Sequence, residues 1–479
     1  MFSSIINLLN TIVGAGTLAM PSVLSHMGIM MGCIMIVWSG FTAALGLYLQ
    51  GRCSRYLDRG GSSFFAISKL TYPNAAIFFD AAIAVKCFGV GVSYLIIIGD
   101  LMPKVALAMG DNLAETHPYL GERDFWITAF MLLVIPLSFL RKLDSLKYTS
   151  IVALISIGYL IVLVVYNFGI GPIQDKSELR IVRPESAIAF LSSLPVVVFA
   201  YTCHQNIKDV SPGSIVGTVS TSIGSAASIY VLVAITGYLT FGNAVSGNIV
   251  SMYDPSNAIV IGQFGIVLLV TFSIPLQVFP CRSSADAVLR WRPIRRQNGG
   301  RADSANNDLP LLNPTAPGAA RPDSASVPMS DTRFALLTSI ILISSYLVAL
   351  SVSSLERVLA YVGSIGSTSI SFILPGLFYY KISDPDSIHH QRLMKEDDDA
   401  GDMLDSDDEG DPDLANSIQS LRSAASVVLD PRKWRRRWRW DLEHLEHDLL
   451  RKMALGLAVY GLLVMVVCLT MNVVFEVTH

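Results

Sequence analysis

The chain alternates long apolar runs with short polar interruptions. Eleven runs stand out, at about 4–27, 29–50, 74–101, 124–140, 147–169, 186–207, 215–241, 257–281, 333–353, 355–380 and 453–475. A helix that crosses a bilayer core needs about 20 predominantly apolar residues. The pattern therefore predicts an all-α integral membrane protein with eleven transmembrane helices. The first run carries Asn7 and Asn10 in its middle, and neither a basic stretch nor a small-residue cleavage site accompanies it. It reads as a span rather than a secretory leader. It starts almost at Met1, which leaves a longer natural N-terminus open.

Composition sharpens this picture. Of the 479 residues 52% are hydrophobic and 15% charged, with mean hydropathy +0.50, against roughly 25% charged in a soluble domain. Disordered, collagenous and nucleic-acid-binding classes are excluded. The 35 Lys and Arg residues set the orientation, because basic residues concentrate in cytoplasmic loops. With the N-terminus in the cytoplasm, 28 of them fall on that side and six on the other, with Lys86 inside a helix. Eleven spans then put His479 on the far side. Cys33, Cys87, Cys203, Cys281 and Cys468 lie in apolar runs, so the six cysteines read as small buried hydrophobes rather than a disulfide framework.

Five segments follow the first eight helices, which occupy 1–281. Residues 282–332 form a cytoplasmic loop with a disorder composition, followed by helices nine and ten at 333–380. A second disordered loop, 381–430, holds eleven acids and no base between Glu396 and Asp413. That tract reads as a solvated tail, with Ser406 as an alternative acidophilic kinase site. Residues 431–452 precede the eleventh helix (453–479) and place Trp434, Trp438, Leu442, Leu445 and Leu449 on one helical face beside clustered arginines. Because this segment abuts a membrane span, an amphipathic helix on anionic lipid is the better reading than a nucleic-acid site or a solvated helix.

Chemistry is expected where apolar helices break. The first run reads Gly14-Ala15-Gly16-Thr17 with Pro21 beyond. An interrupted helix frees backbone N–H groups that attract an anion and carbonyls that attract a cation; the alternative is a glycine packing face. The sixth run carries Pro195 and ends Phe199-Ala200-Tyr201-Thr202-Cys203-His204. Interruptions at corresponding places in two halves point to a midplane site in an inverted-repeat transporter, and five plus five helices with one extra fit that plan. Among titratable groups, His204 lies at the sixth helix's cytoplasmic end, where a histidine bonded to nearby backbone is the alternative. Asp80 and Lys86 share the third helix about 240° apart, and charges there are functional suspects. Asp100 reads as interfacial, and His26 falls at the membrane surface opposite the cytoplasm.

Asn7–Pro21, Phe199–His204, Val270–Arg282 and the Gly363-Ser-Ile-Gly-Ser-Thr to Leu374-Pro375 stretch together resemble the amino acid/auxin permease family, of the amino acid–polyamine–organocation superfamily. The long loop before the eleventh helix looks most like the fungal vacuolar branch. The resemblance implies helices 1–5 and 6–10 as inverted repeats, broken in helices 1 and 6. It implies that Gly14, Ala15, Gly16 and Thr17 bind a substrate carboxylate, and that Phe199, Ala200, Tyr201 and Thr202 hold the amine and wall the side chain. Asn10, Thr271 and Ser273 match positions around the sodium site of sodium-coupled relatives. The vacuolar relatives use protons, and no carboxylate lies in the breaks, so protons lead over sodium, with His204 a coupling candidate. The expectation is a secondary active transporter of neutral amino acids, multi-pass in a vacuolar or other endomembrane, with the plasma membrane as alternative. Its partners would be amino acids, protons and membrane lipids, with no nucleic acid, cofactor, metal or obligate protein partner. A transporter-like sensor signalling through the 381–452 loop competes with it. An enzyme finds no support in a nucleophile–base pair, metal spacing or GxGxxG.

Overall fold

The computed structural model describes residues 2–56, 67–68, 71–72, 75–109, 117–140, 149–170, 179–204, 215–290, 329–387, 391 and 447–478. Within them every regular element is helical. The first apolar run is two helices, α1 (Phe2–Ile12) and α2 (Ala15–Met27), bent by 50° at Val13–Gly14. There follow α3 (Ile29–Cys53), α4 (Ala76–Leu107), α5 (Arg123–Ser138), α6 (Thr149–Ile170) and α7 (Ala187–Ala200). Next come α8 (Ile215–Phe241), α9 (Asn257–Arg290) and α10 (Asp331–Ser351). The tenth run is α11 (Leu355–Val362), two π-helical turns at Gly363–Ser367 and Ser369–Ile373, and α12 (Leu374–Ile382). The chain closes with α13 (His447–Thr478).

Among the described residues, eight helices are long and apolar enough to cross a membrane, counting Leu355–Ile382 as one, and the bent α1–α2 pair makes nine. The other two apolar runs hold shorter helices, α5 with 16 residues and α7 with 14. Lipid-facing stripes follow the helical period. On α10, Leu336, Ile340, Ile343 and Leu347 are all exposed, three or four apart on one face.

Between helices in lipid there is little hydrophobic drive, so association rests on close van der Waals approach at small residues. Glycine supplies it here. A Cβ on Gly46 of α3 would strike the Ser371 carbonyl, one on Gly363 the Pro195 carbonyl of α7, and one on Gly376 the Ala454 carbonyl of α13. Two long helices, α4 and α9, pack along each other, while α2 lies between α7 and α8.

Several boundaries move. α9 runs past the expected edge at 281 to Arg290. Its polar end is stabilised by contacts of its own: Asp286 pairs with Arg290 at 3.0 Å and with Arg333 of α10 at 2.6 Å, and the Arg282 guanidinium lies 4.0 Å over the Phe334 ring. The last helix starts at His447, inside the segment expected to be juxtamembrane. The 291–328 stretch of the first loop lies outside the described residues, as do the acidic tract with Ser406 and the Arg–Trp face at 431–446.

Candidate functional site

Glycine at 14 and 16 and the weak propensity of that stretch end α1 at Ile12 and let α2 start afresh at Ala15. The first N–H groups of any helix have no intrahelical partner. Here Thr17 N–H donates to the Gly14 carbonyl at 3.0 Å, and no side chain caps the end. The Ala15 and Gly16 amides open the second half. α7 ends at Ala200, with Tyr201 as its cap; residues 205–214 lie outside the described residues. Gly16 sits directly on Ala200, where a Cβ would come within 2.6 Å of the Ala200 Cβ and 2.9 Å of its Cα. Small residues on both chains thus bring the two interruptions into contact.

A cavity opens beside this contact. Thr11, Gly14, Ala15 and Gly16 border it from α1–α2, and Phe199, Ala200 and Thr202 from the end of α7. Lys86, Val90 and Tyr94, one face of α4, close another side, with Gln277 of α9. It holds about 40 Å³, on the measure in which one water needs roughly 10–15 Å³. It is a small site.

Tyr230 of α8 joins the two breaks from behind. Its hydroxyl lies 2.6 Å from the Ile12 carbonyl, at the end of α1, and 2.8 Å from the Ala200 carbonyl, at the end of α7. Both carbonyls are helix-terminal acceptors that need a donor when buried. Its ring meets the Tyr201 ring edge-on at 5.2 Å, and Thr17 lies beside it.

Of the expected substrate residues, Gly14, Ala15, Gly16, Phe199, Ala200 and Thr202 border the cavity. Thr17 and Tyr201 do not, and pack around Tyr230 instead, with the Tyr201 hydroxyl close to Gly40 of α3. Of the expected ion-site residues, Asn10, Thr271 and Ser273 lie off the cavity. The Thr271 and Ser273 hydroxyls donate to Val267 and Leu269 in their own helix, at 2.6 and 2.7 Å. The Asn10 Oδ1 is buried without a hydrogen-bond partner among the described residues. Lys86 and Asp80 are both buried in α4, and Lys86 backs onto Gly366 of the π segment. Tyr230 gave no signal in the sequence, since a tyrosine in an apolar run reads as core.

Two ends flank the site. At one, His204 is wholly buried against Ala43 and Gly46 of α3. Gln50 Nε2 donates to the His204 carbonyl at 2.9 Å, and Ser371 Oγ to Thr202 Oγ1 at 3.4 Å. At the other, His26 on the last turn of α2 lies between Glu185 and Glu356. Asp100 lies 3.7 Å from the Arg123 Nε at that same end.

Residues 1–398 match the family described as transmembrane amino acid transporter protein. The chain belongs to that family. Among its curated relatives is the vacuolar amino acid transporter 5 of Schizosaccharomyces pombe, 45% identical over 80% of this chain and 84% of that protein. The vacuolar amino acid transporter 6 of Saccharomyces cerevisiae is 40% identical over 79% and 89%. The human sodium-coupled neutral amino acid transporter 7 is more distant, at 25% over 77% and 76%. Among solved structures, the inward-facing conformation of Mhp1 superposes with a TM-score of 0.50 at 10% identity, covering 99% of this chain and 91% of that one. That likeness concerns the fold alone.

Proposed function

We propose that this chain carries amino acids across the vacuolar membrane by alternating access, driven by protons. The observation that carries the reading is the junction of α1, α2 and α7. There the uncapped start of α2 meets the end of α7, and Ala15, Gly16, Phe199 and Ala200 border one cavity. A carboxylate favours the first and an ammonium the second. The vacuolar transporters among its yeast relatives support the compartment.

The eleven apolar runs each contain helix, and we read all eleven as spans, α5 and α7 included. Helices 1–5 and 6–10 form the two repeats, with breaks at Val13–Gly14 and after Ala200. The Cys53 end of α3 faces the cytoplasm. Val90, Tyr94 and Phe199 make the apolar side of the cavity, which suits a neutral side chain. Lys86 borders the same cavity. Protons lead over sodium because no carboxylate among the described residues borders the cavity. A sensor would draw on the 381–452 loop, of which 392–446 lies outside the described residues.

The test is uptake of labelled amino acids by purified protein in liposomes, with pH and sodium gradients imposed separately. Uptake driven by the pH gradient alone is the expected result. Uptake that needs sodium, or none under either gradient, overturns the coupling or the function respectively. Orientation is checked by labelling in intact vacuoles: Ser304→Cys should react with cytosolic thiol reagents and Ser177→Cys should not.

A further inference from the structure

The end of the bundle opposite Cys53 carries a cluster that the transport reading does not use. His26 closes α2. Its Nδ1 lies 2.7 Å from Glu185 Oε2, in the segment before α7, and its Nε2 lies 3.4 Å from Glu356 Oε1, on the first turn of α11. One imidazole therefore spans two carboxylates from two other elements. Arg180 adds a second cation: its Nη2 lies 3.5 Å from Glu185 Oε1, and its Nη1 donates to the Ser25 carbonyl at 2.7 Å.

The backbone follows the same joint. Ile29 and Met30 N–H donate to the Arg180 and Ile181 carbonyls at 3.0 and 2.9 Å, and Glu185 N–H donates to the His26 carbonyl at 2.9 Å. Gly28 makes this turn at φ +79°, with no room for a Cβ against the Arg180 and Arg183 carbonyls. Other elements bring few charges. Arg183 and Arg357 are exposed, α8 brings only the Tyr238 hydroxyl, which accepts from Arg180 N–H at 2.9 Å, and the loop after α8 brings the Gly247 backbone against Glu356.

A neutral imidazole has one N–H and one lone pair, whereas an imidazolium has two N–H groups. An ionised carboxylate only accepts. Neutral His26 would satisfy one glutamate and turn its lone pair on the other. Charged His26 satisfies both, and with Arg180 it balances the two glutamates.

We propose that His26, Glu185 and Glu356 form a proton-binding latch: one proton taken up from the compartment facing this end ties α2, the segment before α7 and α11 together and closes that mouth. The sign follows from linkage. The closed cluster holds one proton more than the separated groups, so acid favours closure and rising pH releases it. Only the identity of that compartment as the acidic lumen rests on the function proposed above.

The test is hydrogen–deuterium exchange of the full chain in lipid nanodiscs, corrected for intrinsic rates and read at residues 26–32. Protection of Ile29 and Met30 should be high in acid and fall by up to about tenfold per pH unit across a single step, as one linked proton requires. His26→Gln should remove the step. Glu356→Gln, which keeps the Glu185 contact, should move the step to lower pH, and it serves if the His26 variant does not fold. Protection in the wild type that does not change with pH, or a step unmoved by either substitution, overturns the latch. In parallel, wild-type liposomes that carry no amino acid would sink the transport function and leave the exchange result standing.

Discussion

Two histidines sit at opposite ends of the helix bundle, and they are held by different means. His204 is wholly buried, pressed on Gly46 and the Ala43 backbone, with Gln50 gripping its carbonyl. His26 is about a quarter exposed and stands between two carboxylates. The first end is closed by shape, through glycine and close backbone approach. The second is closed by charge, with groups that solvent reaches. Packing tolerates no added atom, whereas an ion pair at a wet surface is worth little. The two ends therefore answer to different perturbations.

The largest effect is expected where shape rules. Gly46→Val must displace the Ser371 carbonyl and the His204 ring, and overpacking of this kind costs about 1–3 kcal/mol or more. Loss of both transport and protein abundance is expected, measured by uptake and by fluorescence size exclusion. An abundant, active variant would break the contrast between the ends. Next comes Gly14→Val. Gly14 borders the cavity with nothing within 4 Å of its would-be Cβ, so the new side chain fills the site without striking protein. Transport should fall at least about tenfold, equivalent to 1.4 kcal/mol, at unchanged abundance. Gly16→Leu separates site from packing less cleanly, because Gly16 already touches Ala200.

Smaller is Tyr230→Phe. It removes the one hydroxyl shared by the Ile12 and Ala200 carbonyls, and a buried acceptor left without its donor costs about 1–3 kcal/mol. A thermal midpoint lower by several degrees and weaker substrate affinity are expected. An unchanged midpoint would show that water replaces the hydroxyl. Smallest is deletion of 396–413, which should leave uptake intact. Loss of uptake would tie the acidic tract to the transport cycle.

The break in the first run was legible because its signal is local: Gly14, Gly16 and Pro21 are poor helix material wherever they sit. The end of α7 was legible only in part. Its residues were named, but nothing local says that Tyr201 turns toward Tyr230 and α3 while Phe199 faces the cavity. Lys86 announced itself as a charge in an apolar run. Its alignment with Val90 and Tyr94 follows from the helical period, but the site it faces lies more than sixty positions away on one side and more than a hundred on the other. Helix ends misled where polar residues pair with each other, as Asp286 does with Arg290 and Arg333, because an apolar run stops where the helix need not.

The Tyr230 hydroxyl has one hydrogen, and two carbonyls stand within its reach. Whichever way that hydrogen turns, the junction of the two broken spans is one donor short. On the proposed reading, a solute with hydrogens to give makes up that difference.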